Sequence, residues 1–494
     1  MDLLAALAPV FSPASWLYLT AGVCLGVVFG ALPGFTATMG LAILTPLTFW
    51  VATDQALAML FGLLCAAIFS GGIPAILINT PGTPASIATT WDGYPLAQQG
   101  HIGRALGLNA VGAFCGQAVS IIVLALAAFP LASFALRFGP PEYFALAAFG
   151  ISMMVSISSE SLVKGLLAGA LGLAVSLVGL DPIVGYPRFT LDVAAFLDGI
   201  SFIPVMVGLF GVAEVLMQIY AKTAHHLKTE LRFDRILPSV GEASGLIRPA
   251  MIGSLLGTGV GVLPGAGGDI GAIIAWGQAR RLSAAPERFG RGSFEGLVAS
   301  CSAANAAIGG AMTTMLTLGI PGDAASAVLI GALLIHGVQP GPLLFRDQPE
   351  VAAHIVVLLG MAAIVTLAVG LLGVRPLARI LRVKDEILWG IVLIVCVLGS
   401  YALNQSVVDI WVMFVAGIVG FVLRKLRFPM GPLVLALILG PMAESNLRRS
   451  LVLSHGDLSI LVTRPIALTF LVLTALSLVL PLVRRKRPVA RGDG

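Results

Sequence analysis

The chain has 494 residues, of which 58% are hydrophobic and only 11% are charged, and its formal net charge is +5. The mean hydropathy of +0.99 excludes a soluble globular domain, which cannot hide so much apolar surface behind so few charges. The basic residues lie in short loops between apolar runs, a distribution typical of membrane orientation that argues against nucleic-acid binding. At about 20 residues per span, we expect an all-α polytopic membrane protein with roughly a dozen membrane segments.

The first half of the chain, residues 1–221, is predicted to be a membrane repeat with two interruptions. The first is Gly30–Gly34, Gly-Ala-Leu-Pro-Gly, and the second is Ile78–Ser86, Ile-Asn-Thr-Pro-Gly-Thr-Pro-Ala-Ser. In both, a Pro-Gly pair stops one helix, and small or hydroxyl residues after it can begin another. Broken backbone persists in a membrane only where protein buries it or a watery cavity bathes it. We therefore predict broken helices and re-entrant hairpins.

The second half, residues 249–483, is predicted to be a second membrane repeat. It carries Leu263-Pro-Gly265 and Gly319–Ser326, Gly-Ile-Pro-Gly-Asp-Ala-Ala-Ser. Residues 222–248 hold charges of both signs and are predicted to be a cytoplasmic linker, and residues 484–494 a basic cytoplasmic tail. The loop that contains Asp181, Asp192 and Asp198 is expected on the opposite side of the membrane.

An internal repeat is the strongest pattern in the sequence. The residues that recur 231 positions later are Gly26, Gly30, Leu32, Pro33 and Gly34, and those that recur 240 positions later are Pro81, Gly82 and Ser86. Matches among small residues also arise because glycine lets membrane helices pack closely, so helix packing is the alternative explanation. Two breaks in the same order favour duplication, and we expect the two repeats to be inverted.

Paired breaks have a specific chemistry. Amides at the start of a half-helix favour a carboxylate, and carbonyls freed at the end of the preceding one favour Na⁺. The predicted substrate-binding residues are Gly34, Asn79, Thr80, Pro81, Gly82, Thr83, Ser86, Asn305, Pro321, Gly322 and Ser326. The predicted coupling-ion residues are Gly265, Gly267, Asp269 and Asp323. The ion is Na⁺ or H⁺, and we expect no cofactor and no metal beyond a transported Na⁺.

Several of these residues have alternative interpretations. Asp269 and Asp323 stand where the first repeat has Thr38 and Thr83, and either aspartate can serve simply as a helix cap. Asn305 can contribute to helix packing instead of a site. Glu214 falls in an apolar run, where carboxylates are usually functional, although it is close enough to the linker to reach an interface. The segment Trp91–Arg104 is interpreted as a polar loop.

Longer motifs resemble the large membrane subunit of the bacterial tripartite tricarboxylate transporters over nearly the whole chain. The motifs are Gly30–Gly40, Gly71–Ser86, Asp92–Pro95, Phe138–Phe144, Gly208–Leu216, Leu263–Asp269, Pro286–Gly290, Gly319–Asp323, His336–Pro342 and Phe428–Ser450. The resemblance implies a non-enzymatic secondary active transporter of the elevator type, a symporter that takes up citrate or related carboxylates across the bacterial inner membrane. It also implies a small membrane subunit and a periplasmic solute-binding protein as partners.

The chain departs from the family pattern in two places. Ser300–Asn305, Ser-Cys-Ser-Ala-Ala-Asn, lacks an expected acidic residue and one asparagine, and Gln98 stands where an arginine is usual. The first departure puts the stoichiometry of ion or substrate in question. Two other functional classes stay open, a passive channel for organic anions and, remotely, an intramembrane aspartyl protease based on Ala266-Gly-Gly-Asp269.

Overall fold

The computed structural model describes residues 8–32, 34–158, 161–181, 184–221, 234–238, 240–373, 376 and 385–484. The helices are α1 Pro13–Ala31, α2 Ala37–Leu44, α3 Thr53–Ser70, α4 Gly72–Ile78, α5 Ile87–Gln98, α6 Ile102–Ala135, α7 Pro140–Ser158, α8 Leu162–Ser176, α9 Phe202–Met206, α10 Ala213–Ala221, α11 Val240–Gly261, α12 Gly267–Leu282, α13 Phe294–Leu318, α14 Ala324–Ile335, α15 Pro342–Asp347, α16 Pro349–Leu372, α17 Asp385–Asn404, α18 Val407–Lys425, α19 Met430–Leu453, α20 Ile460–Thr463 and α21 Pro465–Arg484. A π-helical turn, Val207–Val212, joins α9 to α10.

The remaining regular elements are small. Strands β1, Gly179–Leu180, and β2, Pro187–Arg188, form an antiparallel pair that the sequence did not predict. Four single 3₁₀ turns lie at Pro46–Trp50, Pro84–Ser86, Ala194–Phe196 and Pro286–Arg288.

Seven helical segments of the described chain are long and apolar enough to cross a membrane. They are Pro13–Ala31, Thr53–Ile78, Ile102–Ala135, Phe202–Tyr220, Pro349–Leu372, Val407–Lys425 and Met430–Leu453. Five shorter apolar helices accompany them: Ala37–Trp50, Leu162–Ser176, Ala324–Ile335, Trp389–Asn404 and Pro465–Val479. The prediction of an all-α polytopic membrane protein is therefore confirmed.

Two helix pairs, α1 with α3 and α11 with α13, are packed through glycines. At each of six glycines, an added methyl group would lie only 2.0 to 2.4 Å from a carbonyl oxygen of the facing helix, so only glycine fits. In the first pair the glycines and their partners are Gly22 with Met59, Gly26 with Leu63, and Gly30 with Ala67. In the second pair they are Gly253 with Ala299, Gly257 with Ala303, and Gly261 with Ala307.

The contacts of the second pair reproduce those of the first at the two offsets seen in the sequence. Gly253 follows Gly22 by 231 positions, and its partner Ala299 follows Met59 by 240. The other two contacts in each pair obey the same rule. If the small residues matched by chance, their packing partners would not match as well. The two helix pairs therefore share one packing geometry.

The two halves of the chain exchange contacts after each break. The first central break, residues 79–83, is followed by the 3₁₀ turn Pro84–Ser86 and helix α5, which pack on α12 from the second half. Conversely, the second central break, residues 319–323, is followed by α14, which packs on α2 from the first half. This exchange brings residues of both halves to the same place in the core.

The described chain divides into two compact units by its contacts. The first contains Met1–Ala135 and Ile203–Phe421, and the second contains Leu136–Phe202 and Val422–Gly494. The first unit takes helices from both predicted repeats, 1–221 and 249–483, whose boundaries remain a prediction. About half of the predicted linker, residues 222–233 and 239, lies outside the described residues, as do Pro33 and tail residues 485–494.

The second unit is organised around α19. This helix packs against both α7 and α8, and α21 packs against α7. At Gly172 of α8, an added methyl would lie 2.1 Å from the carbonyl oxygen of Leu433, so this crossing also depends on glycine.

Candidate functional site

The first central break is a tight turn between α4 and the 3₁₀ turn Pro84–Ser86. Helix α4 ends at Asn79, whose left-handed backbone (φ 55°) lets its amide donate to the carbonyl of Pro74. The Gly82 amide then donates to the Gly71 carbonyl at 3.1 Å. This bond holds the tip of the break, residues 79–83, against the beginning of α4. A methyl group at Gly82 would lie 2.0 Å from the carbonyl oxygen of Gly30. The tip therefore rests directly on the end of α1.

Hydroxyl groups line the buried side of this tip. Thr83 Oγ1 and Ser86 Oγ lie 3.2 Å apart and are both buried. Both hydroxyls approach Gly71 closely, since an added methyl there would lie 2.4 Å from Thr83 Oγ1 and 2.8 Å from Ser86 Oγ. Thr80 Oγ1 instead donates to the carbonyl of Ile78, within the turn. Two of the neutral donors predicted around the first tip, the hydroxyls of Thr83 and Ser86, are therefore buried together.

The second central break has the same backbone design with a different side-chain set. Helix α13 ends at Gly319, again in the left-handed region (φ 73°), at the position 240 residues after Asn79. A methyl at Gly322 would lie 2.7 Å from the side chain of Ala311 and 2.8 Å from the Gly261 carbonyl oxygen. The Gly265 amide donates to the carbonyl of Gly322 at 2.6 Å, so the two breaks of the second half touch each other.

Asp323 caps the helix that follows this break. Asp323 Oδ1 accepts a hydrogen bond from the Ser326 amide at 2.8 Å, and Ser326 Oγ accepts one from the Asp323 amide at 2.9 Å. This reciprocal pair is a capping box at the start of α14. The capping interpretation of Asp323 is therefore correct, and its predicted part in ion coupling remains a further prediction.

The four predicted coupling-ion residues come together. Gly265 has a left-handed backbone (φ 83°), as does Gly34 231 positions earlier (φ 91°). A methyl at Gly267 would lie 2.7 Å from Asp269 Oδ1 and 4.0 Å from the Cβ of Asp323. Two carboxylates from different breaks therefore flank the same turn.

The first tip reaches this cluster from the other half of the chain. A methyl at Gly268 would lie 3.2 Å from the Cβ of Ala85, which follows Thr83 by two residues. The alanines Ala85, Ala88, Ala272 and Ala304 form a small buried cluster at this contact. The beginning of α12, with Asp269, thus lies against the turn that carries Thr83 and Ser86.

Two predicted residues have other surroundings. Asn305 is 2% exposed, accepts a hydrogen bond from Gln117 Nε2 at 3.0 Å and donates to the carbonyl of Cys301 at 3.0 Å. It therefore joins α13 to α6, as in its packing interpretation, and a substrate role stays a prediction. At Gly34, an added methyl would lie 2.2 Å from Gln218 Nε2 and 3.3 Å from Glu214 Oε1. A carboxylate and an amide from α10 therefore cover the first break.

The interpretation of Trp91–Arg104 as a polar loop is wrong. The structure has α5 through Gln98 and α6 from Ile102, with only a short turn between them. Gly93 and Pro95 suggested a loop, but Gly93 sits against Ile76, where an added methyl would lie 2.7 Å from its side chain. Packing against α4 therefore overrides the local preference of these two residues.

Asp92, which sequence reasoning did not single out, links three elements of the first unit. Its carboxylate is fully buried and accepts hydrogen bonds from Trp276 Nε1 at 2.7 Å and from the backbone amides of Gly290, Gly292 and Ser293 at 2.8, 3.2 and 2.8 Å. It holds α5, which follows the first tip, against α12, which carries Asp269 in its first turn. The only signal in the sequence that could have indicated this role was the single acidic residue of the motif Asp92–Pro95.

We expect replacement of Asp92 with alanine to destabilise the protein by on the order of 3 kcal/mol or more, because it leaves an indole N–H and three backbone amides without an acceptor. The measurement is thermal or denaturant unfolding of the purified protein in detergent. The matched control is Asp347→Ala, since Asp347 pairs with Arg346 at the surface, where ion pairs contribute little to stability. Equal stabilities of the two variants would contradict this role for Asp92.

A second charged cluster lies at the beginning of α6. Arg104 donates through its Nε to Asp234 Oδ2 at 2.9 Å and through its amide to Asp234 Oδ1 at 3.0 Å. Burial raises the pKa of the Asp234 carboxyl, but the hydrogen bonds from Arg104 and Gly103 outweigh burial and hold its pKa below the usual value. The carboxylate is therefore stabilised in the folded state.

This lowered pKa predicts the sign of a pH effect. A folded-state pKa below the unfolded one gives stability that is fully present above the ordinary aspartate value of about 3.9 and is lost as the pH falls through the folded value. We expect Asp234→Asn to lower the melting temperature at neutral pH, and the difference from the unchanged protein to shrink below about pH 4. Melting curves between neutral and acidic pH test this. A difference that does not vary with pH would contradict it.

A cavity of about 650 Å³ opens beside this cluster and away from the breaks. Its lining includes Arg104, Glu242, Arg288, Arg291 and Phe294. Among the described residues, no group of three or more histidine, cysteine, aspartate or glutamate side chains could hold a metal ion.

Similarity to known proteins identifies the family. A model of the tripartite tricarboxylate transporter TctA family matches residues 16–435. An uncharacterised 52.8 kDa protein in the TAR-I ttuC′ 3′ region of Agrobacterium vitis is 35% identical over 496 residues, covering 99% of this chain and 98% of its own length. Another, in the TAR-II ttuC′ 3′ region of the same organism, is 34% identical over 240 residues, covering 48% of this chain and 97% of its own length. No solved structure gave a significant match. The chain is a multi-pass membrane protein that belongs to the tripartite tricarboxylate transporter TctA family.

Proposed function

We propose that this chain is the large permease subunit of a binding-protein-dependent tripartite system and carries out cation-coupled uptake of carboxylates across the bacterial inner membrane. Its partners are a small membrane subunit and a periplasmic solute-binding protein, as the family name implies. The substrate is citrate, another tricarboxylate or a related organic acid. The observation that carries the proposal is the convergence of broken helices from both halves of the chain on one buried, hydroxyl-rich and acidic region.

Carboxylate binding follows from the first tip. The hydroxyls of Thr83 and Ser86 are buried beside backbone that has left the helix, and the chain re-enters a helical turn at Pro84. Amides at such a start carry about half a positive charge, which favours an anion without a fixed cation. Asn79, Thr80, Pro81, Gly82 and the second tip at Pro321, Gly322 and Ser326 complete the proposed substrate set, to which Gly34 and Asn305 are added by prediction.

Cation coupling is assigned to the acidic side of the same region. Asp269 and Asp323 both flank Gly267, and Gly265 joins this turn to the second tip. Two carboxylates next to an anionic substrate would repel it unless a cation lies between them, so substrate and cation are expected to bind together. Na⁺ or H⁺ is the proposed coupling ion.

The transport motion is proposed to be of the elevator type, on two inverted repeats. The support is the duplicated packing of α1 with α3 and of α11 with α13, and the exchange of contacts between the halves after each break. Inverted repeats with broken helices at the midplane are typical of secondary transporters.

The test is uptake into proteoliposomes that contain the chain with its small subunit, supplied with loaded solute-binding protein and labelled citrate or another carboxylate. Separate Na⁺ and proton gradients are imposed. We expect saturable uptake that collapses when one of these gradients is removed. Uptake that stays proportional to concentration and ignores both gradients would instead indicate a passive channel for organic anions.

A further inference from the structure

A short segment of the second unit exposes an unusual amount of apolar surface. It consists of residues 179–181 and 184–199, which contain β1, β2 and the turns after them. Four of its side chains are between 70% and 82% exposed: Val184, Tyr186, Phe189 and Leu191. Apolar patches of this kind mark interaction sites when polar residues surround them.

This segment is held in place by a network of ion pairs. Arg188 donates to both carboxylate oxygens of Glu444, at 2.5 and 3.2 Å. Arg448 lies 2.6 Å from Asp181 and 3.1 Å from Glu444, so four alternating charges tie the hairpin to α19. Asp181 is only 6% exposed, so salt screens this network less than it screens an ion pair at the surface.

The backbone that carries the apolar side chains is strained. Phe189 and Leu191 have φ values of 54° and 51°, in the left-handed region that side chains of this size rarely adopt. Residues held in such conformations persist where the surrounding structure maintains them, often at binding sites. The exposed apolar side chains therefore lie on a strained backbone whose base is tied to α19 by the ion pairs.

The position of the segment excludes lipid tails as its neighbours. At one end of the unit, Lys164 near the beginning of α8 donates to the carbonyl of Leu426. Leu426 lies in the basic turn before α19, which contains Arg424, Lys425 and Arg427. At the other end, the ion-pair network joins the hairpin after α8 to the last turns of α19. The hairpin therefore lies opposite the basic turn, which the positive-inside rule assigns to the cytoplasm. Irregular backbone does not face hydrocarbon, so the segment belongs to the outer aqueous face.

The charge of this surface favours a protein partner over lipid head groups. Asp192 and Asp198 are exposed beside the apolar side chains, and Arg188, the only basic residue between positions 179 and 199, is engaged in the ion-pair network. Anionic head groups attract lysine and arginine and repel aspartate. The surface instead suits a protein that presents an apolar depression with a basic rim.

We propose that residues 179–181 and 184–199 are the docking surface for the periplasmic solute-binding protein. The choice of partner rests on the proposed function, in which that protein delivers substrate to the outer face. Phe189 and Leu191 insert into the partner, and Asp192 and Asp198 pair with its basic rim. The proposed docking surface lies in the second unit, and both central breaks lie in the first.

The test measures the affinity of the purified, substrate-loaded binding protein for the full chain with its small subunit in lipid nanodiscs. We expect Leu191→Asp to weaken binding by about tenfold or more, the loss typical of a central interface residue. Asp192→Asn combined with Asp198→Asn should slow association and reduce its dependence on salt. The matched control is Leu426→Asp, because Leu426 is exposed in the same unit at the opposite end. It should bind as the unchanged protein does.

The outcomes are distinct. Unchanged affinity of Leu191→Asp, or equal loss in Leu426→Asp, would overturn the docking surface. Loss of the small subunit from Leu191→Asp with binding-protein affinity intact would overturn it too, since the surface would then serve another partner. Tight binding that depends on Leu191 supports the docking surface even if no gradient-driven uptake occurs, in which case the transport proposal alone fails.

Discussion

Replacing Gly82 with alanine is expected to reduce uptake by about a hundredfold or more, because it displaces the tip that carries Thr83 and Ser86. The added methyl would lie 2.0 Å from the Gly30 carbonyl oxygen and 2.9 Å from the Cα of Gly71. All of the close atoms except those of Pro74 are backbone atoms, so no side-chain rotation can relieve the contact. The measurement is initial uptake in proteoliposomes, with the amount of folded protein checked by gel filtration.

Two matched glycine-to-alanine variants serve as controls for Gly82→Ala. Gly322→Ala, the equivalent change in the second repeat, meets its nearest atoms at 2.7 and 2.8 Å and should have a smaller effect. Gly259→Ala meets no atom within 4 Å, although it lies in α11 between the packed glycines Gly257 and Gly261, and should leave uptake unchanged. If Gly82→Ala and Gly259→Ala transport equally well, the first tip is not part of the transport site.

The positions of the breaks could be predicted from sequence because their causes are local. Pro-Gly pairs end helices whatever surrounds them, and the structure places the helix ends at Asn79 and Gly319, just before the pairs. The sequence offsets of 231 and 240 also relate the glycine–carbonyl contacts of the two helix pairs. A glycine that packs against a carbonyl in one pair is required against the equivalent carbonyl in the other. Local chemistry and duplication thus supplied most of the fold around the site.

Contacts between distant segments could not be predicted in this way. Nothing in the local sequence shows that Ala85 meets Gly268, or that Glu214 and Gln218 cover Gly34, since these contacts depend on how helices from different parts of the chain cross. Asp92 was missed for the same reason. Its four donors lie about 180 to 200 positions away in sequence, and Gly93 and Pro95 gave a misleading local signal.

Asp323 supplies both a helix cap and a negative charge at the start of α14. A capping box needs only an acceptor oxygen at this position, which asparagine, serine or threonine can also supply. The first repeat has Thr83 there, with no side-chain cap bond at its 3₁₀ turn. Aspartate adds a negative charge that capping does not require, and that charge lies beside Asp269. The charge and the cap can therefore be separated by mutation.

Asp323→Asn is expected to keep the fold and lose the coupling. Asparagine caps a helix about as well as aspartate does, so the melting temperature should hardly change. Gradient-driven uptake should fall by about tenfold or more and stop responding to the Na⁺ or proton gradient, because the neutral side chain no longer attracts the cation. Asp323→Ala, which removes the charge and the cap, should lose stability as well, by about 1 kcal/mol.

Ser293→Ala supplies the control for cap loss alone, because Ser293 caps α13 through the Gly296 amide at 3.2 Å, beside the Asp92 network and not at the breaks. It should melt at a lower temperature than the unchanged protein and retain its ion dependence. If Asp323→Asn also retains the full ion dependence of uptake, the aspartate acts only as a cap. The coupling cation would then have to be held by Asp269 and by the backbone carbonyls of Gly265 and Gly267. These are the predicted coupling-ion residues that remain when Asp323 is set aside.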